Sequence, residues 1–379
     1  MASQPSDIQF EERKKDHIRW ALDERTQGLA SSDFDSIRLQ HCALPEVNFS
    51  EITLETKILK HKFSSPHFIS SMTAGHAQAQ KINFLLAAAA AKKNWLMCVG
   101  SQRRELGDKL GDKLGDKFGR ELGTEQNTNE WSEIKNKFPE LKIVSNIGIE
   151  EVIQFQPQQI ERLIKSIDAI GLIVHLNPLQ EIFQKEDALY RNSLKELSRL
   201  VKKVKIPVIV KEVGFGISAD LARQLFAIGV EAIDIAGRGG SHWGMIEALR
   251  QKENSYLQDS IHAFRDWGFS SVELLKSYRG LLLRNEVWAS GGVRSGVDAA
   301  KCLALGAQAV GIAQPLMKAI VNEMQPDKRA PLENSISLLE LMDRFDFELK
   351  AALFCTGMSS VTELQKSAFS KKKVWYDSK

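Results

Sequence analysis

What the chain has little of narrows its class. Its four cysteines, Cys42, Cys98, Cys302 and Cys355, are scattered over 379 residues without a C-x-x-C pair. That spacing excludes a disulfide scaffold and a structural zinc site, and predicts a reduced, cytoplasmic protein. No dense cluster of metal ligands occurs, which argues against a tight structural metal. Long hydrophobic runs are missing too: the longest, Phe84 to Ala91, is too short to span a bilayer. The polar N-terminus is unlike a signal peptide. Excess charge is also lacking. With 51 Lys+Arg against 48 Asp+Glu the net charge is +3, which indicates no nucleic-acid partner and leaves only local basic sites for phosphates.

What is present is a repeating pattern. From residue 66, short β-rich runs alternate with helical stretches. The runs are Phe68–Met72, Leu96–Val99, Ile143–Ser145, Leu172–His175, Val208–Val210, Ala232–Ile235, Glu286–Ala289 and Ala309–Ile312. Eight strand–helix units predict an α/β fold, a closed (β/α)8 TIM barrel with an N-terminal arm and a C-terminal helix. The expected division is 1–62 as arm and clamp segment, 63–330 as barrel, and 331–379 as closing helix and tail. Residues 31–62 read as extended pieces that cover the bottom of the barrel. The helical stripe within Ser335–Leu364 is amphipathic, with Gly357 as a stop. The tandem Gly-Asp-Lys repeat in Leu106–Gly119 reads as a wet surface loop. The long unit 237–285, with Trp243, Trp267 and Tyr278, reads as a roof.

In such barrels the carboxyl ends of the strands carry the chemistry. Here all eight are polar or glycine-rich. The fifth run, Val208-Ile209-Val210, ends in Lys211, which faces either a ligand or a buried acid such as Asp234 or Glu212. The seventh ends in Ser290-Gly291-Gly292-Val293-Arg294-Ser295-Gly296 before a helix, a pattern suited to an anion. A phosphate there, beneath small and aromatic residues, suggests FMN, and a lysine beside a flavin can stabilise negative charge on its reduced ring. The fourth end groups His175, Asn177, Gln180 and Glu181. Glu181 is a candidate single ligand for Mg2+, which uses substrate phosphates and water for the rest of its shell. Glu247 is a further candidate acid or base.

These residues resemble the type 2, flavin-dependent isopentenyl-diphosphate isomerases. The resemblance runs through Arg13-Lys14-Lys15-Asp16-His17, Ser71-Met72-Thr73-Ala74-Gly75, Val99-Gly100-Ser101-Gln102-Arg103 and Ser145-Asn146-Ile147-Gly148. It continues through His175-Leu176-Asn177-Pro178-Leu179-Gln180-Glu181, Val210-Lys211-Glu212-Val213-Gly214-Phe215-Gly216, Ala236-Gly237-Arg238-Gly239-Gly240-Ser241-His242-Trp243, Ser290-Gly291-Gly292-Val293-Arg294 and Gly311-Ile312-Ala313. It implies reduced FMN, NADPH as reductant, Mg2+ on the substrate diphosphate, and interconversion of isopentenyl and dimethylallyl diphosphate by proton addition and removal. It implies FMN contacts from Met72, Thr73, Ala74, Ser101, Asn146, Lys211, Ser241, Gly292, Val293, Arg294, Ala313 and Gln314. Substrate contacts would come from Arg13, Lys14, Ser101, Gln102, Arg103, His175, Asn177 and Gln180, and the metal ligand would be Glu181. Gln180, Glu247 and Lys211 are the implied catalytic set. A homotetramer or homo-octamer, without nucleic-acid or membrane partners, is also implied. Departures from the family pattern are Ala74 for a glycine, Ser241 for a threonine, the more basic Arg238 and His242, and the added repeat. Two other readings remain open. One is an FMN-dependent 2-hydroxy-acid oxidase, for which His242 is the candidate base. The other is a non-catalytic phosphate- or flavin-binding barrel.

Overall fold

A computed structural model describes residues 16–28, 33–72, 77–108, 130–185, 188–251, 256–324, 336–369 and 375–377. Arg13, Lys14, Thr73, Ala74 and most of the Gly-Asp-Lys repeat lie outside the described residues.

Eight parallel strands close into a barrel, in sequence order around the ring. They are β1 (His67–Ile69), β2 (Leu96–Cys98), β3 (Ile143–Gly148), β4 (Gly171–Leu176), β5 (Val208–Glu212), β6 (Ala232–Asp234), β7 (Glu286–Ala289) and β8 (Ala309–Ile312). Each of the eight runs read from the sequence supplies one strand. Helices follow the strands and pack outside, as the alternation predicts.

The two-residue period of the strands aims the site. Phe68, Val144, Ile173, Ile209, Ala232 and Trp288 are shut inside the barrel in one apolar cluster. Two residues further along each strand path, the same inward face carries Ser70, Asn146, His175, Lys211, Asp234 and Ser290. Register completes the layer. Gly148 pairs with His175, His175 with Lys211, and Lys211 with Asp234. The apolar layer below is therefore the floor, and the polar layer is the base of the site.

The opposite end is plugged, as the reading of residues 31–62 predicts. A hairpin of Thr56–Ile58 and His61–Phe63 puts Ile58, Leu59 and Phe63 into the same internal cluster. Its turn residues Leu59 and Lys60 have φ of 48° and 69°, the left-handed pair that a tight two-residue hairpin needs. Glu286 holds the turn by accepting from the Leu59 N–H at 3.0 Å.

The long unit after β6 carries the helices Trp243–Arg250 and Tyr256–Ser260. Tyr278 is buried and donates its hydroxyl to Ile217 O at 2.7 Å, fastening this unit to the loop after β5. The C-terminal stripe forms the helix Leu338–Cys355, which packs on Gly296–Ala304. A Cβ on Gly296 would meet Phe345 O at 2.2 Å, so the two helices touch at backbone distance. Gly357, at φ 70°, ends the turn beyond it. No helix among the described residues is long and apolar enough to cross a membrane.

Candidate active site

A cavity of about 250 Å³ opens at the carboxyl end of the barrel. It is lined by Met72 after β1, Ser101 and Arg103 after β2, Asn146 from β3, and His175, Asn177, Gln180 and Glu181 from β4 and its helix. Lys211, Ser241, Gly292, Val293, Arg294, Ala313 and Gln314 complete the predicted set on the wall. Two predicted residues stand behind it. Gln102 is buried, accepting from Ser145 Oγ at 2.6 Å and donating to Glu105 Oε2 at 2.8 Å. Glu247 is fully buried and reaches the cavity only through neighbours.

Lys211 satisfies both of its sequence readings. Its Nζ is 2.9 Å from Asp234 Oδ2, and the same side chain borders the cavity. Ser290 joins the pair by donating to Asp234 Oδ1 at 2.6 Å. The buried lysine thus has an acidic partner on the neighbouring strand β6. Glu212 turns away: its Oε2 accepts from the N–H groups of Val213, Gly214 and Phe215 at 2.6–2.7 Å, shaping the loop after β5.

Gln180 and Glu247 form a second unit. Gln180 Nε2 donates to Glu247 Oε1 at 2.9 Å. His17 Nε2 lies 2.8 Å from that oxygen, and Arg250 Nη1 donates to Glu247 Oε2 at 2.7 Å. Burial pushes the Glu247 carboxyl up, but His17, Arg250 and Gln180 outweigh it and hold it down at about 2. Glu247 is therefore a carboxylate at neutral pH. Beside it, Asn177 Nδ2 donates to Glu181 Oε1 at 2.9 Å and to Gln180 Oε1 at 3.2 Å. One amide thereby orients Gln180 and Glu181, two cavity-facing side chains of the helix Pro178–Lys185.

The cationic wall is also braced. Arg103 Nε is 3.1 Å from Glu151 Oε1, and Arg103 Nη1 is 4.0 Å from Glu150 Oε2. Burial raises the Glu151 carboxyl, against the Arg103 charge that lowers it. His175 Nδ1 lies 2.9 Å from Asn146 Oδ1, which fixes the imidazole plane. Sequence reasoning missed His17 as a partner of Glu247, and missed Glu150 and Glu151 altogether. The acidic pair in Ile149–Gln154 directly after β3 was the available signal.

The residues present fit FMN. The backbones of the β6 and β7 loops meet at the cavity: a Cβ on Gly291, at φ 93°, would lie 1.9 Å from Gly237 O. Gly292, at φ 78°, is similarly pressed on Gly239, and Arg294 Nη2 donates to Gly239 O at 2.9 Å. The helix Gln314–Glu323 starts at the cavity with no side-chain cap, leaving its positive end for an anion. Ser70 and Ser71 line the cavity with hydroxyl oxygens that are shut from solvent and have no partner among the described residues. Buried hydroxyls without partners are uncommon unless a ligand supplies one. For a divalent cation the donor set is thin. No group of three or more His, Cys, Asp or Glu able to hold a metal occurs among the described residues. Glu181 alone suits an ion completed by substrate oxygens and water.

His242 is committed elsewhere. Its Nδ1 accepts from the Met245 N–H at 2.9 Å, capping the helix Trp243–Arg250, and its Nε2 donates to Phe264 O at 2.9 Å. Both ring nitrogens are used, burial lowers its pKa, and it does not border the cavity. It is not placed as the base that a hydroxy-acid oxidase needs.

Comparison with known proteins agrees with this geometry. Residues 17–118 and 175–371 match the family model of the FMN-dependent dehydrogenases. The solved structures similar to it include a double mutant of flavocytochrome b2 with pyruvate bound. It has a TM-score of 0.63 and 15% identity, with 96% of this chain and 82% of that one covered. A mandelate oxidase mutant gives a TM-score of 0.57 at 15% identity, covering 96% and 95%. At that identity the likeness shows the fold alone. Barrel and cradle together define an FMN-dependent barrel enzyme.

Sequence relatives narrow the class. An isopentenyl-diphosphate delta-isomerase of Bdellovibrio bacteriovorus is 39% identical over 365 residues, covering 95% of this chain and 97% of that protein. The Legionella pneumophila protein of the same name is 40% identical over 361 residues, covering 95% and 98%. The chain belongs to the isopentenyl-diphosphate delta-isomerase family.

Proposed function

We propose that this enzyme interconverts isopentenyl diphosphate and dimethylallyl diphosphate with reduced FMN and Mg2+, by adding a proton to the alkene and removing another, with no net redox change. The observation that carries this reading is Gln180, held from behind by Glu247, on the same cavity as the glycine cradle and Lys211. FMN, when bound and reduced, supplies an electron-rich ring able to hold and release a proton beside the double bond.

The chain's own residues do the rest. Lys211, paired with Asp234 on the neighbouring strand, borders the cavity where negative charge would gather. Arg103, braced by Glu151, and His175, braced by Asn146, take the diphosphate, joined by Ser101 and Asn177. Glu181 would hold Mg2+, which would supply charge to offset the diphosphate. Gln180 cannot titrate usefully. It positions the alkene under the direction of Glu247, whose fixed negative charge favours the electron-deficient state that protonation of the alkene creates. Glu247 acts through Gln180, not on substrate directly. The resemblance implies diphosphate contacts from Arg13 and Lys14 and flavin contacts from Thr73 and Ala74. NADPH as reductant, a homo-oligomer and the division into arm, barrel and closing segment complete the proposal, as the resemblance implies them.

The test is anaerobic incubation of the FMN-reduced protein with isopentenyl diphosphate and Mg2+. Dimethylallyl diphosphate should appear. Rapid flavin reduction by a 2-hydroxy acid, with no isomer formed, would overturn the reading.

A further inference from the structure

The four cysteines divide into two pairs that the sequence does not reveal. Cys98 and Cys302 are buried, and burial pushes both thiols well above their ordinary values, which keeps them protonated and inert. Cys42 is half-buried and Cys355 is exposed. These two, from opposite ends of the chain, meet.

Cys42 donates its backbone N–H to Cys355 O at 2.7 Å. Adding the N–Cα, C=O and Cα–C bond lengths puts the two Cα atoms no more than about 7 Å apart even if all bonds were collinear, and bent geometry brings them nearer. Disulfides span Cα separations of roughly 4.4–6.8 Å. The side chain of Cys42 also points at the right turn: a Cβ on Gly357 would sit 3.3 Å from Cys42 Sγ. A second anchor keeps the segments together, since the Thr53 N–H donates to Ser359 O at 3.1 Å. Two strands of chain are thus held in place before any covalent bond forms.

We propose that Cys42 and Cys355 are a peroxide-sensitive thiol pair that closes to an intrachain disulfide, fastening the segment after Ile37–Leu39 to the end of the helix Leu338–Cys355. The chemistry balances with hydrogen peroxide as oxidant. The thiolate of one cysteine attacks a peroxide oxygen, giving a sulfenic acid and one water after protonation. The second thiol then displaces the sulfenic oxygen as another water. Two S–H bonds and the O–O bond break, one S–S bond forms, and the sulfurs lose the two electrons that peroxide gains. The exposed Cys355 is the accessible end for the first step.

The FMN-loaded protein is treated with hydrogen peroxide, free thiols are blocked with iodoacetamide, and unreduced peptides are mapped by mass. A peptide joining Cys42 to Cys355 within one chain is expected, reversed by dithiothreitol. Cys98 and Cys302 should alkylate only after denaturation. Because the bridge closes a loop of most of the chain, oxidation should raise Tm by roughly 5 °C. Cys42→Ser and Cys355→Ser, each outside the cavity, should fold and abolish that rise. Absence of the joined peptide, bridges between chains, or sulfinic acid at Cys355 with Cys42 still free would overturn the proposal. A Tm rise persisting in Cys42→Ser would overturn it equally.

Discussion

His17 Nε2 stands 2.8 Å from Glu247 Oε1, joining the root of the N-terminal arm to the roof helix Trp243–Arg250 at a point closed off from solvent. The same oxygen accepts from Gln180. The arm is therefore wired to the side chain that positions the alkene. Glu247→Gln removes the charge but keeps the shape. It should lower kcat by about 100-fold or more while FMN absorbance is retained. Loss of bound FMN in step with activity would show a structural role instead.

The contacts that hold Glu247 also set an acid limit. The folded Glu247 pKa, about 2, lies below the ordinary value of 4.5. Between those values the unfolded chain binds more protons than the folded one, so stability rises with pH there. The contribution is fully present above 4.5 and is lost as pH falls through about 2. Acid unfolding of the wild type should steepen in that window, and Glu247→Gln should flatten the slope. An unchanged slope in the variant contradicts the ionised, paired carboxylate.

Lys211 has a structural and a chemical duty that one double variant separates. Lys211→Ala leaves Asp234 buried and unpaired, a loss of about 3–5 kcal/mol by chemical denaturation. Adding Asp234→Ala should restore much of that stability, because the uncompensated charge is gone. Turnover should stay lost in both. Recovery of activity with stability would show that the pair only holds the barrel together.

Glu181→Gln tests the metal assignment. Asn177 can still bond the new amide, so the fold and FMN occupancy should hold, while activity collapses and excess Mg2+ fails to restore it. Equal loss of FMN and activity would point to packing.

His242→Asn tests the oxidase alternative. Asparagine is a good helix cap, so the roof helix keeps its N-terminal bond at a cost of about 1 kcal/mol or less by thermal melt. Isomerase turnover should remain within a few-fold of wild type. A collapse of turnover with FMN bound would return His242 to the chemistry.

Much of the fold was legible because strand runs and barrel closure are local and periodic. Val208-Ile209-Val210-Lys211 already says that Ile209 and Lys211 share a face. The cradle was legible from Gly291-Gly292 before a helix. The partners were not. His17 and Glu247 lie far apart in the chain, and no pattern around His17 distinguishes a solvated basic helix from one whose imidazole is buried against a carboxylate. Lys211 could be narrowed to Asp234 or Glu212. Only the register, which sets Lys211 beside Asp234 across β5 and β6, decides between them. His242 looked like a base because capping depends on where the helix starts. Gln102 looked like a cavity residue because its neighbours Ser101 and Arg103 are.

The central claim is that the alkene moves by protonation and deprotonation while the flavin ends as it began. The direct measurement is anaerobic turnover of isopentenyl diphosphate in D2O, with the flavin spectrum recorded before and after and the product analysed by NMR. The account predicts dimethylallyl diphosphate carrying solvent deuterium in its new methyl group, and an unchanged spectrum of reduced flavin. An isomer without deuterium, or flavin oxidised in proportion to product, would contradict it.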